Sequence, residues 1–398
     1  MSFRTLNLPA IAGGKPMFEM RLPIVSPEGL PGDEFLCDVQ KILQSRQLTN
    51  AAFVREFESA AAAYLGVPHC VAVSSCTTGL VLTLRALGLE GEVILPSFTF
   101  HATAHSVVWN GLKPVFADCD PETFCIDPQT VEDLLTPTTA AVLGVHIFGS
   151  PASGTELEAI AASGKVHLIF DAAHAFGSKA DGRHVGNFGT AEIFSFSPTK
   201  LLVAGEGGLI VTRDAMLARR LRAARNYGDA GNYDPGLLGL NARMSEFHAA
   251  LALRALAGLD GRIERRNQIR LHYMRRLEQI PGLRFQQIRP GNRSTCKDIG
   301  VLIDEAEFGC SREWLFDALQ KENIEVRRYF WPPVHRQKLF GGFRARQPLP
   351  VTEGISDRVL NLPIYSSLRD EDVDKVCAAV FRTREFAMAG RKAKAIGE

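Results

Sequence analysis

The sequence lacks the features of a membrane, secreted or nucleic-acid-binding protein. In its 398 residues no apolar run approaches the roughly 20 residues that span a bilayer. The N-terminal stretch also lacks the long apolar core of a secretory signal. The 45 basic and 44 acidic residues leave a net charge of +1, and neither a helix-turn-helix segment nor a basic arm is recognisable. We therefore expect a cytoplasmic protein that binds neither membranes nor nucleic acids.

The cysteines and histidines show no metal-ligand spacing. The eight cysteines are scattered without a CxxC pair, and a disulfide framework is not expected in so long a chain. His101 and His105 lie four residues apart, but no Glu lies between them and no third ligand is recognisable. Walker and dinucleotide-binding glycine patterns are missing as well. We therefore expect reduced thiols and no metal site. The missing glycine patterns make a nucleotide-binding fold less expected.

Short apolar runs alternate with helical segments through the first half of the chain. The alternation begins at Cys70 and reaches Asp171, which predicts an α/β fold with a mostly parallel sheet covered on both faces. The length favours two domains. We therefore divide the chain into an N-terminal arm (1–35), a large domain (36–260) and a smaller C-terminal α+β domain (261–398).

Two strands of that prediction are less regular than the others. The segment GGLIVTRD (207–214) is expected to form an antiparallel or edge strand of the large sheet. The segment NIEVRRYF (323–330) is expected to form a strand of the small domain.

The stretch from His167 to Gly208 carries the strongest chemical signal. Asp171 ends one apolar run, Ser195 lies in the next, and Lys200 follows in a polar turn. The carboxyl ends of parallel strands meet at the sheet edge where α/β proteins bind ligands. A lone Asp is often a helix cap and a lone Lys is usually solvated, but their joint occurrence favours one site. Pyridoxal chemistry needs such a pair, because the amine forms a Schiff base and the carboxylate keeps the pyridine nitrogen protonated.

Two further segments each allow a functional and a structural interpretation. In SSCTTGL (74–80), at a strand-to-helix junction, small residues and free amides could bind phosphate, although Ser and Thr are also ordinary helix caps. Phe100 follows a strand end, where an aromatic ring could stack on a planar cofactor, although a buried core Phe is the commoner situation.

Six segments, in one order and over nearly the whole chain, resemble a known family. They are SSCTTGL, PSFTFHATAH, FDAAHAFG, FSFSPTKLLVAGEGG, LGLNARMSEFHAALAL and RRYFWPPVH. They resemble the DegT/DnrJ/StrS family of pyridoxal-phosphate sugar aminotransferases. The resemblance implies a fold type I aminotransferase, with a large, mostly parallel seven-stranded sheet domain and a smaller C-terminal α+β domain. It is nearest to enzymes that aminate the 4-keto group of dTDP-4-keto-6-deoxyglucose.

The resemblance also implies roles for individual residues. Lys200 matches the lysine that carries the cofactor, Asp171 the carboxylate on the pyridine nitrogen, and His174 the residue that meets the ring hydroxyl. The other implied cofactor contacts are the stacking Phe100, the phosphate-binding Thr77, Thr78 and Ser195, and Asn241 reaching the phosphate from the neighbouring subunit.

Substrate contacts follow from the same resemblance. The arginines that could meet a nucleotide diphosphate are Arg243, Arg327 and Arg328, and the segment that approaches the substrate also carries Tyr329 and His335. A core position is a plausible alternative for Tyr329. Ser197 stands where many family members have His.

The implied reaction is the transamination of a nucleotide-linked keto sugar, with glutamate as amino donor. The cofactor would alternate between pyridoxal phosphate and its pyridoxamine form, in a homodimer with shared active sites. Members that act as dehydratases replace the lysine with His, so Lys200 favours transamination. Amination of a 3-keto sugar, of a UDP- or GDP-linked sugar or of a cyclitol remains open. A non-catalytic regulator that senses pyridoxal phosphate is the alternative of another class.

Overall fold

The computed structural model describes residues 8–28, 32–343 and 345–396. The strands are β1 (His69–Val73), β2 (Glu92–Pro96), β3 (Lys113–Ala117), β4 (Thr139–Val145), β5 (His167–Asp171), β6 (Lys179–Ala180), β7 (Arg183–His184), β8 (Ala191–Ser195), β9 (Gly208–Thr212), β10 (Leu283–Phe285), β11 (Ile299–Ile303) and β12 (Val359–Leu362). The helices are α1 (Asp33–Ser45), α2 (Ala52–Leu65), α3 (Cys76–Leu87), α4 (His101–Trp109), α5 (Pro128–Leu134), α6 (Gly154–Gly164), α7 (Ala215–Ala224), α8 (Glu246–Leu256), α9 (Leu259–Leu277), α10 (Glu305–Phe308), α11 (Arg312–Lys321), α12 (Pro350–Arg358) and α13 (Asp370–Ile396). Within the described chain, no helix is both long and apolar enough to cross a membrane.

A seven-stranded sheet forms the centre of the molecule. Its strand order is β1-β9-β8-β5-β4-β2-β3, and every neighbouring pair is parallel except the two pairs made by β9. The expected mostly parallel α/β sheet is therefore confirmed. The segment 207–214 contains β9, which is antiparallel as expected but lies inside the sheet, between β1 and β8, and not at an edge.

Alternating side chains of each strand enter different hydrophobic clusters, which explains why helices cover both faces. In β1, Val71 and Val73 join a cluster with α3, α4 and α7, whereas Cys70 and Ala72 join one with α2 and α8. The second face is completed near β3 and β4 by residues of α5 and α6.

The small sheet is antiparallel, with the order β10-β11-β12, and shares a hydrophobic cluster with α11 and α13.

The prediction of a strand at 323–330 is wrong. Ile324 and Val326 are buried, which produces the strand-like alternation, but the backbone forms only isolated bridges, from Ile324 to Leu22 and from Arg327 to Asn361.

Helix α9 belongs to both cores. Leu259 and Ile263 pack with the large sheet, and Ile269 and Tyr273 pack with the small one. The segment 330–358 lies beyond α9 in sequence but contributes to the clusters around the large sheet. The division at residues 35 and 260 stays a prediction.

The described part of the arm packs on the small core. Leu22 is buried there, and the backbone amides of Ala10 and Met17 donate to the Glu322 carboxylate, each over 2.8 Å. Residues 1–7 and 29–31 of the predicted arm lie outside the described residues. All eight cysteines are described, and each is a free thiol.

Candidate active site

A cavity of about 360 Å³ lies at the carboxyl edge of the parallel strands. Three strands end in its wall, at Val145 of β4, Asp171 of β5 and Ser195 of β8. The residues that the sequence predicted for the site and that line this cavity are Thr77, Phe100, Asp171, His174, Ser195, Lys200 and Tyr329. The topology therefore brings most of the predicted cofactor residues to one place.

Asp171 is buried at the end of β5, and the surrounding chain holds its carboxylate. Oδ2 accepts a hydrogen bond from Thr103 Oγ1 over 2.8 Å, and Oδ1 accepts from the backbone amide of Ala173 over 3.1 Å. The Cys76 thiol lies 3.8 Å from Oδ1. Burial and the neighbouring carboxylate raise the pKa of Cys76 well above its usual value, so this thiol stays protonated.

Lys200 lies in the turn that follows β8, where its backbone amide donates to the carbonyl of Ser197 over 2.9 Å. Burial, with Lys297 as the next contributor, lowers the pKa of the Lys200 amine to about 8. A lysine with a pKa of about 8 is neutral in about a tenth of the molecules at pH 7, far more than a lysine of ordinary pKa. A neutral amine acts both as a nucleophile and as a proton acceptor.

His174 is neutral in this environment. Burial, with Lys200 and Lys297 nearby, holds its pKa well below the usual range. Its carbonyl accepts from Thr295 Oγ1 over 2.6 Å, and its ring lies parallel to that of Phe330 with the centroids 6.5 Å apart. Among the described residues, the buried Nδ1 has no hydrogen-bond partner. A neutral imidazole with a free nitrogen at a cavity wall suits a ligand hydroxyl.

The N-terminus of α3 forms another part of the wall, through Ser75, Cys76 and Thr77. Ser75 caps the helix in a reciprocal capping box with Thr78, whose side chain is therefore engaged within the cap and lies outside the cavity lining. Gly208 allows β9 to approach this turn, because a Cβ at Gly208 would lie 2.6 Å from the Cys76 amide nitrogen. The free amides of the first helical turn favour an anionic group.

Phe100 lies on the rim of the cavity and is half exposed. Its ring packs on that of His101, with the centroids 3.9 Å apart. This exposed position at a cavity mouth differs from that of an ordinary core phenylalanine and suits a stacking role, which stays a prediction.

Two of the predicted residues lie on the loop after α7 and outside the cavity lining. Arg243 donates to Asn241 Oδ1 and to Asn226 Oδ1, each over 3.2 Å. Its guanidinium also lies 5.8 Å from the ring centroid of Tyr227. The role of Asn241 toward a neighbouring subunit and that of Arg243 toward the substrate stay predictions.

Three further predicted residues lie close to the cavity but make other contacts. Arg327 pairs with Glu325, and Arg328 pairs with Glu313. His335 lies 2.6 Å from Ser97 Oγ through Nδ1 and 3.2 Å from Glu353 through Nε2. In this arrangement none of the three lines the cavity, and their substrate roles stay predictions.

Sequence reasoning missed a buried ion pair in the cavity wall. Lys297 Nζ lies 2.8 and 3.1 Å from the two carboxylate oxygens of Asp298. In the sequence the two residues form an ordinary Lys-Asp dipeptide just before β11, and no local pattern marks them as buried. Glu206 of the glycine-rich loop also lines the cavity and was not predicted.

These residues fit pyridoxal phosphate. Asp171 offers a fixed carboxylate, Lys200 an amine of lowered pKa, and His174 an unpartnered ring nitrogen. The start of α3 offers helix amides to a phosphate.

Fold and site together define a pyridoxal-phosphate-dependent aminotransferase of fold type I. The sequence profile of the DegT/DnrJ/EryC1/StrS aminotransferase family matches residues 31–381, and the chain belongs to this family. The resemblance drawn from the motifs is thereby confirmed, as is the prediction of an enzyme.

The chain is similar along nearly its full length to other proteins of known name. It is 34% identical over 369 residues to a dTDP-4-amino-4,6-dideoxy-D-glucose transaminase of Escherichia coli, covering 90% of this chain and 98% of the relative. It is 34% identical over 356 residues to a UDP-N-acetyl-3-dehydro-alpha-D-glucosamine 3-aminotransferase of Acidithiobacillus ferrooxidans, covering 88% and 94%. The crystal structure of DesI in the presence of its TDP-sugar product superimposes with a TM-score of 0.91 at 38% identity, covering 99% of this chain and all of that one.

Proposed function

We propose that the protein transfers an amino group from glutamate to carbon 4 of dTDP-4-keto-6-deoxyglucose, using pyridoxal phosphate. Support comes first from Lys200 and Asp171, which neighbouring strands β8 and β5 bring to one cavity. The similarity to a dTDP-4-amino-4,6-dideoxy-D-glucose transaminase and to DesI supports the choice of sugar. When bound, pyridoxal phosphate accepts the electrons released as a C–H bond next to nitrogen breaks, and it carries the amino group between the two substrates.

Lys200 is the residue that holds the cofactor covalently and moves protons. Its lowered pKa provides a neutral amine near neutral pH. In the first half-reaction Nζ removes the proton from the α-carbon of glutamate. In the second half-reaction Nζ delivers a proton to carbon 4 of the sugar.

Asp171, His174 and the start of α3 bind and orient the cofactor. Asp171, held by Thr103 and the Ala173 amide, keeps a proton on the ring nitrogen and stabilises its positive charge before the reaction begins. His174 Nδ1, which has no hydrogen-bond partner among the described residues, would meet the ring hydroxyl. Thr77 and Ser195 line the cavity near the start of α3 and would bind the phosphate, while Thr78 fixes the first turn of that helix through its capping box with Ser75.

We propose that the active form is a homodimer in which Asn241 of the partner subunit completes each site. Asn241 lies outside the cavity of its own chain, on a loop whose apolar side chains are unusually exposed. Tyr233 is 97% and Leu238 70% exposed, and such side chains together favour burial against another surface. Arg243 would approach the diphosphate from the same loop.

The eight free thiols also support a cytoplasmic location, which fractionation of the producing cells would test.

The experiment that tests the function is incubation of the holoenzyme with glutamate and a panel of nucleotide-linked keto sugars. The panel contains 4-keto and 3-keto sugars on dTDP, UDP and GDP, together with a keto cyclitol, and mass spectrometry identifies the product. We expect dTDP-4-amino-4,6-dideoxyglucose as the main product. Faster amination of another member would contradict the proposed substrate.

A second candidate is amination of a 3-keto sugar. It is favoured by the relative from Acidithiobacillus ferrooxidans, which is as similar to this chain as the Escherichia coli relative. The same panel separates the two, since their products carry the amino group on different carbons.

A further inference from the structure

The buried pair Lys297–Asp298 forms part of the cavity wall without belonging to the cofactor site proposed above. Lys297 is 5% and Asp298 7% exposed, and both line the cavity. They immediately precede β11, so they reach the cavity from the small sheet, whereas Lys200 and Asp171 reach it from the large one. The pair therefore lies on the wall that the small domain presents to a substrate.

The backbone of this pair is fixed by contacts from several elements. The Lys297 amide donates to the Phe148 carbonyl over 2.9 Å, and the Lys297 carbonyl accepts from Arg266 Nη1 over 3.3 Å. Two residues earlier, Thr295 bonds to the His174 carbonyl. The pair is thus held in place before any ligand binds, as a recognition element requires.

Stability alone does not explain a buried ion pair at this position. Removing two charges from water costs about as much free energy as their attraction returns, and apolar replacements are often neutral or stabilising. The contact between Lys297 and Asp298 also leaves hydrogen-bonding capacity. Each carboxylate oxygen has further lone pairs, and the ammonium group carries three protons.

The chemistry of the pair selects a particular kind of ligand. A hydroxyl group both donates and accepts, so one hydroxyl can accept from Lys297 and donate to Asp298. A carboxylate or a diphosphate would meet a cation that Asp298 already neutralises, together with a negative charge that repels it. The ring of Tyr329, whose centroid lies 5.7 Å from Lys297 Nζ, offers an adjacent apolar surface.

We propose that Lys297 and Asp298 form the subsite that binds the ring hydroxyls of the keto sugar. The inference rests on the proposed function and deepens it. In dTDP-4-keto-6-deoxyglucose the free ring hydroxyls are those on carbons 2 and 3, and the pair binds at least one of them. Asp298 accepts from the hydroxyl and Lys297 donates to it.

The test separates the two half-reactions, because Lys200 serves both but the sugar enters only one. Asp298→Asn and Lys297→Met are compared with wild-type holoenzyme. Lys41→Met is the control, since the exposed Lys41 pairs with Asp38 and lies outside the cavity lining. We expect kcat/KM for dTDP-4-keto-6-deoxyglucose to fall about 10- to 100-fold in both cavity variants, the range for a hydrogen bond to a charged group. The half-reaction with glutamate involves no sugar hydroxyl, so it should stay within about threefold of wild type when each enzyme is assayed above the midpoint of its own Lys200 profile. This choice of pH is needed because Lys297 and Asp298 both act on the pKa of Lys200.

A substrate series adds a second readout that a merely structural role would not change. Wild type and Asp298→Asn are assayed with the 2-deoxy and the 3-deoxy forms of the same nucleotide keto sugar. Removing the hydroxyl that Asp298 binds should slow the wild type but should hardly slow Asp298→Asn further. For one of the two analogues, the loss caused by the analogue and the loss caused by the variant should therefore not add. Fully additive losses with both analogues would overturn the subsite.

The remaining outcomes are also decisive. If the glutamate half-reaction suffers more than the sugar half-reaction, the pair binds the donor carboxylate and the proposal is wrong. If Asp298→Asn aminates the sugar as fast as wild type, the subsite fails while the proposed function stands. If wild type aminates no sugar of the panel, the proposed function fails and the subsite fails with it. Melting temperatures, with the uncharged double variant Lys297→Met/Asp298→Leu included, identify any loss due to unfolding.

Discussion

Thr103 Oγ1 donates a hydrogen bond to Asp171 Oδ2 over 2.8 Å, in a part of the molecule where both side chains are buried. Thr99 Oγ1 lies 3.0 Å from the same hydroxyl. The single hydroxyl proton of Thr103 is donated to Asp171, so Thr99 must be the donor in its hydrogen bond with Thr103. Two successive hydroxyl groups therefore hold the Asp171 carboxyl group in place.

We expect Thr103→Val to lower kcat by about 10-fold, because the Asp171 carboxyl group then loses one of its hydrogen bonds. Steady-state kinetics with saturating glutamate and sugar measures the effect. Thr103→Ser, which keeps the hydroxyl, is the matched control and should retain most of the activity. Of the three variants, Asp171→Asn should show the largest loss of kcat, since it replaces the carboxyl group itself. Equal rates in all three variants would contradict the role of Thr103 in positioning Asp171.

Lys200→Ala should abolish turnover and the visible absorbance of covalently held cofactor, because the other amine in the described cavity wall, that of Lys297, is paired with Asp298. We expect a loss of at least about 10³-fold, as for the removal of other catalytic nucleophiles. Absorbance spectra and product formation are recorded on the same sample. Lys41→Ala is the control at an exposed lysine. Wild-type turnover in Lys200→Ala would rule out the assignment.

Formation of the covalent bond between Lys200 and added pyridoxal phosphate should accelerate as pH rises through about 8. The reason is that burial and Lys297 lower the pKa of the amine to about 8, and only the neutral amine attacks a carbonyl. Stopped-flow absorbance on cofactor-free protein between pH 6 and 10 measures the profile.

Lys297→Met removes a neighbouring positive charge and should shift the midpoint of that profile to higher pH. Lys41→Met should leave the midpoint where it is in wild type. An unchanged midpoint in Lys297→Met would show that Lys297 does not act on Lys200.

Mixed dimers test whether two subunits share each site. Lys200→Ala and Asn241→Ala subunits carrying different tags are produced together, and the mixed dimers are purified by both tags. If the sites are shared, one site of each mixed dimer is intact, and we expect about half the wild-type activity. If each chain forms a whole site, both sites carry one defect and no such recovery occurs.

The alternation of short apolar runs with helical segments was sufficient to predict the central sheet. The same pattern misled at 323–330, where Ile324 and Val326 are buried in the small core without forming a continuous ladder. The periodicity of apolar residues indicates which side chains are buried. It does not show whether the backbone pairs with a neighbouring strand, which a β-strand also requires.

The site was predictable where its residues follow strands of the large sheet, as Asp171 and Ser195 do. It was not predictable where the wall comes from a distant part of the chain. Lys297 and Asp298 are buried only because β11 and α9 carry them against the 146–149 and 172–178 segments, and no local pattern encodes that contact.

Helix α9 connects the two cores that lie behind the cavity. Its first turns belong to the core beneath Lys200, its later turns belong to the core behind Asp298, and the buried Arg266 between them holds the Lys297 carbonyl. A single inserted or deleted residue in α9 would rotate its second half by about 100°, since an α-helix has 3.6 residues per turn. Such a change would turn the small sheet away from the large one. Related enzymes that accept different sugars should therefore differ in side chains at the cavity wall, while the length of this helix stays the same.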